Sequence, residues 1–117
     1  MSTREEKERL ELLQGTLDLL ILRTLLGGAA HGHAIARYIQ RTSEEQLQVE
    51  TGSLYPALHR LEAKGWIEAN WELSDKGKRA RFYKLTRAGR KQLSSERSKW
   101  DAFARAMGLI LTANERP

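Results

Sequence analysis

Gly52-Ser-Leu-Tyr-Pro-Ala-Leu-His-Arg-Leu-Glu-Ala-Lys-Gly65 is the stretch on which the reading of this chain turns. Wound as a helix at about 100° per residue, it separates into two faces. Leu54, Leu58 and Leu61 share a narrow arc and form a stripe to be buried. Pro56, His59 and Arg60 point the other way, with Ser53, Tyr55 and Lys64 on the flanks. A polar, short-armed, cationic outer face, followed by a Lys/Arg-rich hairpin-like stretch, has the character of a DNA recognition helix and a wing. Pro56 constrains the helix start, because a proline's missing N–H has no partner to lose only in the first turn. Ser53 as N-cap meets that condition, and Thr51 as cap with a local bend is the alternative. Gly65 ends the helix.

Outward from this stretch, Ile67, Ala69, Trp71 and Leu73 alternate and predict a strand. Ser74 to Arg79 is a turn with a cationic tip, and Arg81 to Leu85 returns as a second strand. Phe82 and Lys84 fall on one of its faces, Tyr83 and Leu85 on the other. The loop is polar and contains Gly77, which suits a β-hairpin with more than a two-residue turn. Thr86 then N-caps a last helix from Arg87 to about Ala113. Within it Leu93, Trp100 and Met107 recur every seven residues, with Phe103 and Ile110 on the same seam. So long an amphipathic helix at the end of a small domain buries only part of its seam alone, and a second subunit is its natural stabiliser.

Before the opening stretch, residues 34–42 predict a helix with Ile35, Tyr38 and Ile39 as its stripe. His31 and His33 flank Gly32 at its start. No Cys and few carboxylates converge on them, so they suit a turn or helix start better than a metal. Leu47-Gln-Val49 alternates as a very short strand would. Earlier still, Thr16 is placed to cap a helix over Leu17–Leu26, which Gly27 and Gly28 close. Leu17, Leu20, Ile21 and Leu25 follow the helical period, while Leu19, Leu22 and Leu26 occupy other faces. A helix apolar on several sides needs more than one partner, here a core and a subunit contact. The expected dimer interface is Leu10, Leu13 and Leu17 with Leu93, Trp100, Phe103, Met107 and Ile110.

The 117 residues suit one domain. The fold class is mostly α with a small β-hairpin, a winged helix-turn-helix plus a long C-terminal helix. Residues 1–86 form the DNA-binding part with an N-terminal helix extension, and residues 87–117 the dimerisation helix of the same compact domain. The charge of +5 is unevenly spread. Residues 1–58 carry six Lys/Arg against eight Asp/Glu, residues 59–117 fourteen against seven. A basic half suits a polyanion or an acidic membrane surface. The longest apolar run is too short and too polar to span a bilayer, and the N-terminus has no signal-peptide core. With no Cys, a cytoplasmic location is expected.

Residues 59–91 hold ten Lys/Arg against four Asp/Glu, which puts the basic excess where a wing and recognition helix meet DNA. The second helix of a helix-turn-helix enters the major groove. Arg60 is suited to a guanine edge or a phosphate, and Ser53, Tyr55, Pro56 and His59 lie on the same outer surface. Lys64 is placed for the backbone. Lys76, Lys78, Arg79 and Arg81 suit phosphate or minor-groove contact. Catalysis is disfavoured: there is no Cys nucleophile, no phosphate-binding Gly-rich loop and no paired catalytic carboxylates. No cofactor or metal is expected. The alternative to a DNA-binding regulator is a dimeric protein-interaction module that does not bind DNA.

Thr51-Gly-Ser-Leu-Tyr-Pro-Ala-Leu-His-Arg-Leu-Glu62, Gly65-Trp-Ile67 and Tyr83-Lys-Leu-Thr-Arg-Ala-Gly89 closely resemble the PadR family of bacterial transcriptional regulators. His31-Gly32-His33 matches the family's His-Gly-Tyr-like turn, with His33 where an aromatic is commoner. The likeness runs from about Leu12 to Leu111. It implies a homodimeric regulator, usually a repressor, released by a small-molecule or other signal and bound to a roughly palindromic double-stranded DNA operator. It also implies dimerisation through the last helix with help from the N-terminal one, as in the compact branch with a single last helix. Some members of that branch hold planar aromatic ligands between the dimer helices. Trp100 is placed to line such a pocket for a small aromatic effector, or simply to pack the dimer.

Overall fold

The computed structural model describes residues 16–114, and over them the expected order of elements holds with one addition. Helix α1 covers residues 16–26. It is followed by strand β1 (Ala30–His31), helices α2 (Gly32–Thr42) and α3 (Thr51–Ala63), strands β2 (Ile67–Leu73) and β3 (Arg79–Leu85), and helix α4 (Arg87–Leu111). The three strands form one antiparallel sheet in the order β1-β3-β2. Strand β1 is the addition: Ala30 pairs with Tyr83 and His31 with Phe82. Two residues are too few to show a period, so the strand exists only because β3 offers its free edge.

The stripe Leu54, Leu58 and Leu61 is buried, and Ala57 joins it between them. Against it pack Leu17, Ile21, Leu22 and Leu25 of α1, Ile35 and Ile39 of α2, and Ile67, Tyr83 and Leu93. Each of the large aliphatic side chains contributes about 1.5–3 kcal/mol by leaving water. Several expectations change here. Leu22 is a core residue, while Tyr38 faces solvent and Ile35 and Ile39 fill the inner face of α2 with Gly32 and Ala36. Leu17 and Leu93, expected at a subunit contact, belong to the core of the single chain. Both lie on helical segments still seated on the domain, where intrachain packing covers them first. Leu10 and Leu13 lie outside the described residues. Leu47 and Val49 form no strand and pack on the core from an irregular segment.

Helix ends follow local chemistry. Thr16 is already helical, and the start of α1 lies outside the described residues. His31 caps α2, its Nδ1 accepting from the Ala34 N–H at 3.1 Å. Helix α3 begins earlier than Pro56 predicts: the Glu50 carbonyl accepts from both Ser53 and Leu54 N–H, and no side chain caps it. Pro56 therefore sits past the first turn, leaving the Gly52 carbonyl without its usual donor. Gly52 is exposed, so water is available to that carbonyl. At the other end Trp66 N–H bonds the Leu61 carbonyl and Gly65 N–H the Glu62 carbonyl, with Gly65 at φ 76°. That is the Schellman closure, which needs a left-handed residue at this position.

The same turn anchors α4. Thr86 N–H donates to the Trp66 carbonyl at 3.1 Å and its hydroxyl to the Gly65 carbonyl at 2.6 Å. The hydroxyl oxygen in turn accepts from Gly89 N–H at 3.0 Å, capping α4. Beyond Leu93 the helix leaves the domain, and every residue from Arg97 to Leu111 is exposed. This projection accounts for the 62 Å longest dimension.

Candidate nucleic-acid interface

Alternation along the hairpin decides what its inner face presents. Ile67, Ala69, Trp71 and Leu73 stand on one face of β2, opposite Leu85, Tyr83, Arg81 and Arg79 of β3. At the base this face meets the helices, so Ile67 and Tyr83 are buried. Burial pushes the Tyr83 phenol pKa above its ordinary value, against the opposing pull of the Arg81 guanidinium. Farther out the hairpin outruns the helices and the same face becomes the wall of an open groove. The opposite wall is α3, where Tyr55 and His59 stand one turn apart on one side.

This groove holds about 710 Å³ and takes its floor from His31, Gly32 and His33 at the start of α2. Gly32 lets the Tyr55 ring lie close over the start of α2: a Cβ at this position would stand 2.9 Å from the Tyr55 hydroxyl oxygen, and the ring would have to shift. The His31 ring meets Phe82 edge-on at 5.2 Å and stacks toward His33 at 6.3 Å. Arg37, Lys76, Lys78, Arg79 and Arg81 line the groove against one carboxylate, Asp75, so its potential is positive. Arg81 is partly neutralised by Glu62 at 2.9 Å, which fixes the guanidinium between α3 and the wing. The wing loop is closed by the Ser74 N–H bonded to the Lys78 carbonyl at 2.7 Å, with Gly77 at φ 76°.

Of the residues singled out in the sequence, the groove brings together Tyr55, His59, Lys76, Lys78, Arg79 and Arg81. Ser53, Pro56 and Arg60 lie elsewhere on α3. They line a separate cavity of about 260 Å³ with Leu17, Leu20 and Leu47–Glu50. There the Arg60 guanidinium is held by Asp18 of α1 at 3.0 Å, which turns it away from the groove. A helical wheel cannot show this, because Asp18 is 42 residues away in sequence. Lys64 lies with its Nζ 4.7 Å above the Trp66 ring. His31, His33, Arg37 and Trp71 are groove residues that sequence reasoning did not include. The register of Trp71 with the arginines of β3 was the available signal.

A third depression, of about 830 Å³, separates α1 from α4 and is lined by Leu19, Leu20, Leu93, Trp100 and Phe103 with Arg23 and Arg97 at its edges. Trp100 and Phe103 lie 6.0 Å apart there. Both, with Met107 and Ile110, remain exposed, Ile110 by 72%. Among the described residues no group of His, Asp or Glu could hold a metal ion, and no helix is long and apolar enough to cross a membrane.

Comparison with known proteins points the same way. The model of the transcriptional regulator PadR-like family matches residues 21–95. An uncharacterized protein of Lysinibacillus sphaericus is 32% identical over 108 residues, which cover 92% of this chain and 98% of that protein. A transcriptional regulator of Mycobacterium tuberculosis is 35% identical over 95 residues, covering 81% and 85% respectively. The crystal structure of a PadR family transcriptional regulator from Eggerthella lenta superposes with a TM-score of 0.75 at 28% identity over 92% of each chain.

Proposed function

The chain belongs to the PadR-like family of transcriptional regulators, which are not enzymes, and from that premise we propose that it acts as a homodimeric repressor on a roughly palindromic operator. The observation that carries the reading is the cation-lined groove in which Tyr55 and His59 of α3 face Arg79 and Arg81 of the wing across a floor of His31, Gly32 and His33. Helix α3 supplies base-edge contacts in the major groove, chiefly through Tyr55 and His59. Lys76, Lys78, Arg79 and Arg81 supply affinity through phosphates. Two copies paired through α4 bring two recognition helices to two half-sites. The exposed apolar row of Trp100, Phe103, Met107 and Ile110 supports that pairing, with Leu10 and Leu13 as further contributors. A cytoplasmic location follows from the role.

The test is duplex binding as a function of salt. With about six phosphate contacts in the dimer, affinity falls on the order of 10³-fold between 50 and 200 mM salt. Absence of duplex binding at low salt, or binding indifferent to salt, overturns the proposal in favour of a protein-interaction module. Within this reading Arg60 has a changed part. Its half-exposed ion pair with Asp18 is worth less than about 1 kcal/mol. Arg60→Ala is therefore expected to melt close to the wild type and to leave sequence preference unchanged. A redistribution of preferred bases, measured by selection from random duplexes, would restore Arg60 to the reading surface.

A second element of the proposal is a small aromatic effector. The apolar depression beside Trp100 favours it, because its rings and leucines offer a flat ligand two apolar walls. Packing of the dimer remains the other use of Trp100. With Trp66→Phe and Trp71→Phe leaving Trp100 the sole tryptophan, quenching of its emission by planar aromatic compounds together with release of DNA would support the effector; no quenching would assign Trp100 to packing alone.

A further inference from the structure

Trp71 occupies an unusual place on the hairpin. It belongs to the sheet face that is buried at Ile67 and Tyr83, yet it stands beyond the core and is 60% exposed. Among the described residues it belongs neither to the core nor to the apolar side chains packed on the core. Its cross-strand partner is Arg81, and Arg79, opposite the next residue of that face, carries its guanidinium 5.3 Å above the indole centroid. The ring thus faces the groove shared with Tyr55 and His59, collared by cations. A flat apolar surface among cations matches one feature of a nucleic-acid duplex: the deoxyribose walls, which are apolar and bounded by phosphates. Along one side of a duplex the major and minor grooves alternate. A helix seated in the major groove therefore leaves the neighbouring wing over the backbone and the adjoining minor groove.

We infer that Trp71 is a DNA-contact residue of the wing, packing its indole against the sugar wall of the minor groove next to the segment taken by α3. Arg79, stacked on the ring, is thereby presented to a flanking phosphate. The inference rests on the DNA-binding reading above and adds to it an apolar contact that charge alone does not provide. It assigns Trp71 two separable effects: a salt-independent share of affinity from the indole and the orientation of Arg79.

The experiment uses the full-length chain and the duplex that the wild type selects from a random-sequence library. Trp71→Ala is expected to lower affinity about tenfold, as for aromatic anchors at interfaces. Its salt slope should fall by less than that of Arg79→Ala, since no charge is removed although Arg79 loses its support, and its melting temperature should stay at the wild-type value. Trp71→Phe should retain most of the affinity. Arg79→Ala should instead reduce the salt slope of the dimer by about two, about one for each copy. As a direct readout, Trp66→Phe with Trp100→Phe leaves Trp71 the sole tryptophan, and its emission should change on adding the duplex. Wild-type affinity in Trp71→Ala alongside a weakened Arg79→Ala overturns this inference and leaves the DNA reading intact. So does an emission that ignores the duplex, or a Trp71→Ala loss explained wholly by a lowered salt slope. Failure of the wild type to bind duplex at low salt removes both.

Discussion

Gly89→Ala is expected to destabilise the folded chain by about 3 kcal/mol, at the upper end of the usual overpacking range. The reason is local and geometric. A Cβ on Gly89 would overlap the Trp66 carbonyl oxygen and would lie 2.9 Å from both the Trp66 carbonyl carbon and Leu85 Cδ1. That carbonyl cannot retreat freely, because it accepts the Thr86 N–H, while Thr86 also holds the Gly65 carbonyl and caps α4 through Gly89 N–H. Relieving the clash therefore strains the cap as well, and a lost cap alone is worth about 1 kcal/mol. Thermal unfolding at fixed protein concentration should show a drop on the order of 10 °C. Gly52→Ala is the contrasting control. Nothing lies within 4 Å of a Cβ there, so alanine should be neutral or stabilising by up to about 1 kcal/mol. A Gly89→Ala protein melting with the wild type would refute the close approach of α4 to the α3–β2 turn.

Trp100→Asp carries the second large effect, on assembly. Every residue of the last four turns of α4 is exposed, and Trp100, Phe103, Met107 and Ile110 remain open to water, although Trp100 and Phe103 also border the depression beside α1. A helix segment of this length is marginal by itself, and the proposed partner surface would stabilise it. A carboxylate at Trp100 would be buried without a counter-ion in any helix pairing that uses this seam, a change of several kcal/mol. The expected products are monomers by light scattering. Operator affinity should fall on the order of 10²–10⁴-fold, because the two half-sites are no longer bound by one linked particle. Phe103→Asp should reproduce the result from the neighbouring position. A Trp100→Asp protein that stays dimeric would move the subunit contact off this seam.

The two mutations mark the two kinds of information in the chain. The segment Tyr83-Lys-Leu-Thr-Arg-Ala-Gly89 is recognisable as a motif, and Thr86 as a cap is legible from its residue type alone. Why glycine stands at 89 is not, since the atoms it avoids belong to Trp66 in another element. Likewise the apolar stripe of α3 was legible from its spacing, whereas the start of that helix was not. Pro56 argued for a later start, but the Glu50 carbonyl gathers two donors and begins the helix ahead of it.

The candidate site divides in the same way. Tyr55, His59 and the wing cations could be named from residue type and element order. For Arg60 a wheel gives a direction and not the partner that waits there, the Asp18 carboxylate. Trp71 read as a strand residue on an apolar face, and only the length by which the hairpin exceeds the core turned that face into a groove wall. The heptad seam was visible, yet Leu93 and Leu17 went to the core and left the seam to Trp100, Phe103, Met107 and Ile110. Periodicity, caps and turn residues act over a few neighbours, so the sequence by itself determined the helices, the hairpin and the cationic face. Which atoms meet across those elements depends on distances between distant segments, and that was decided only by the tertiary structure: the two-residue strand, the Asp18–Arg60 pair, the glycine under Trp66 and the indole in the groove.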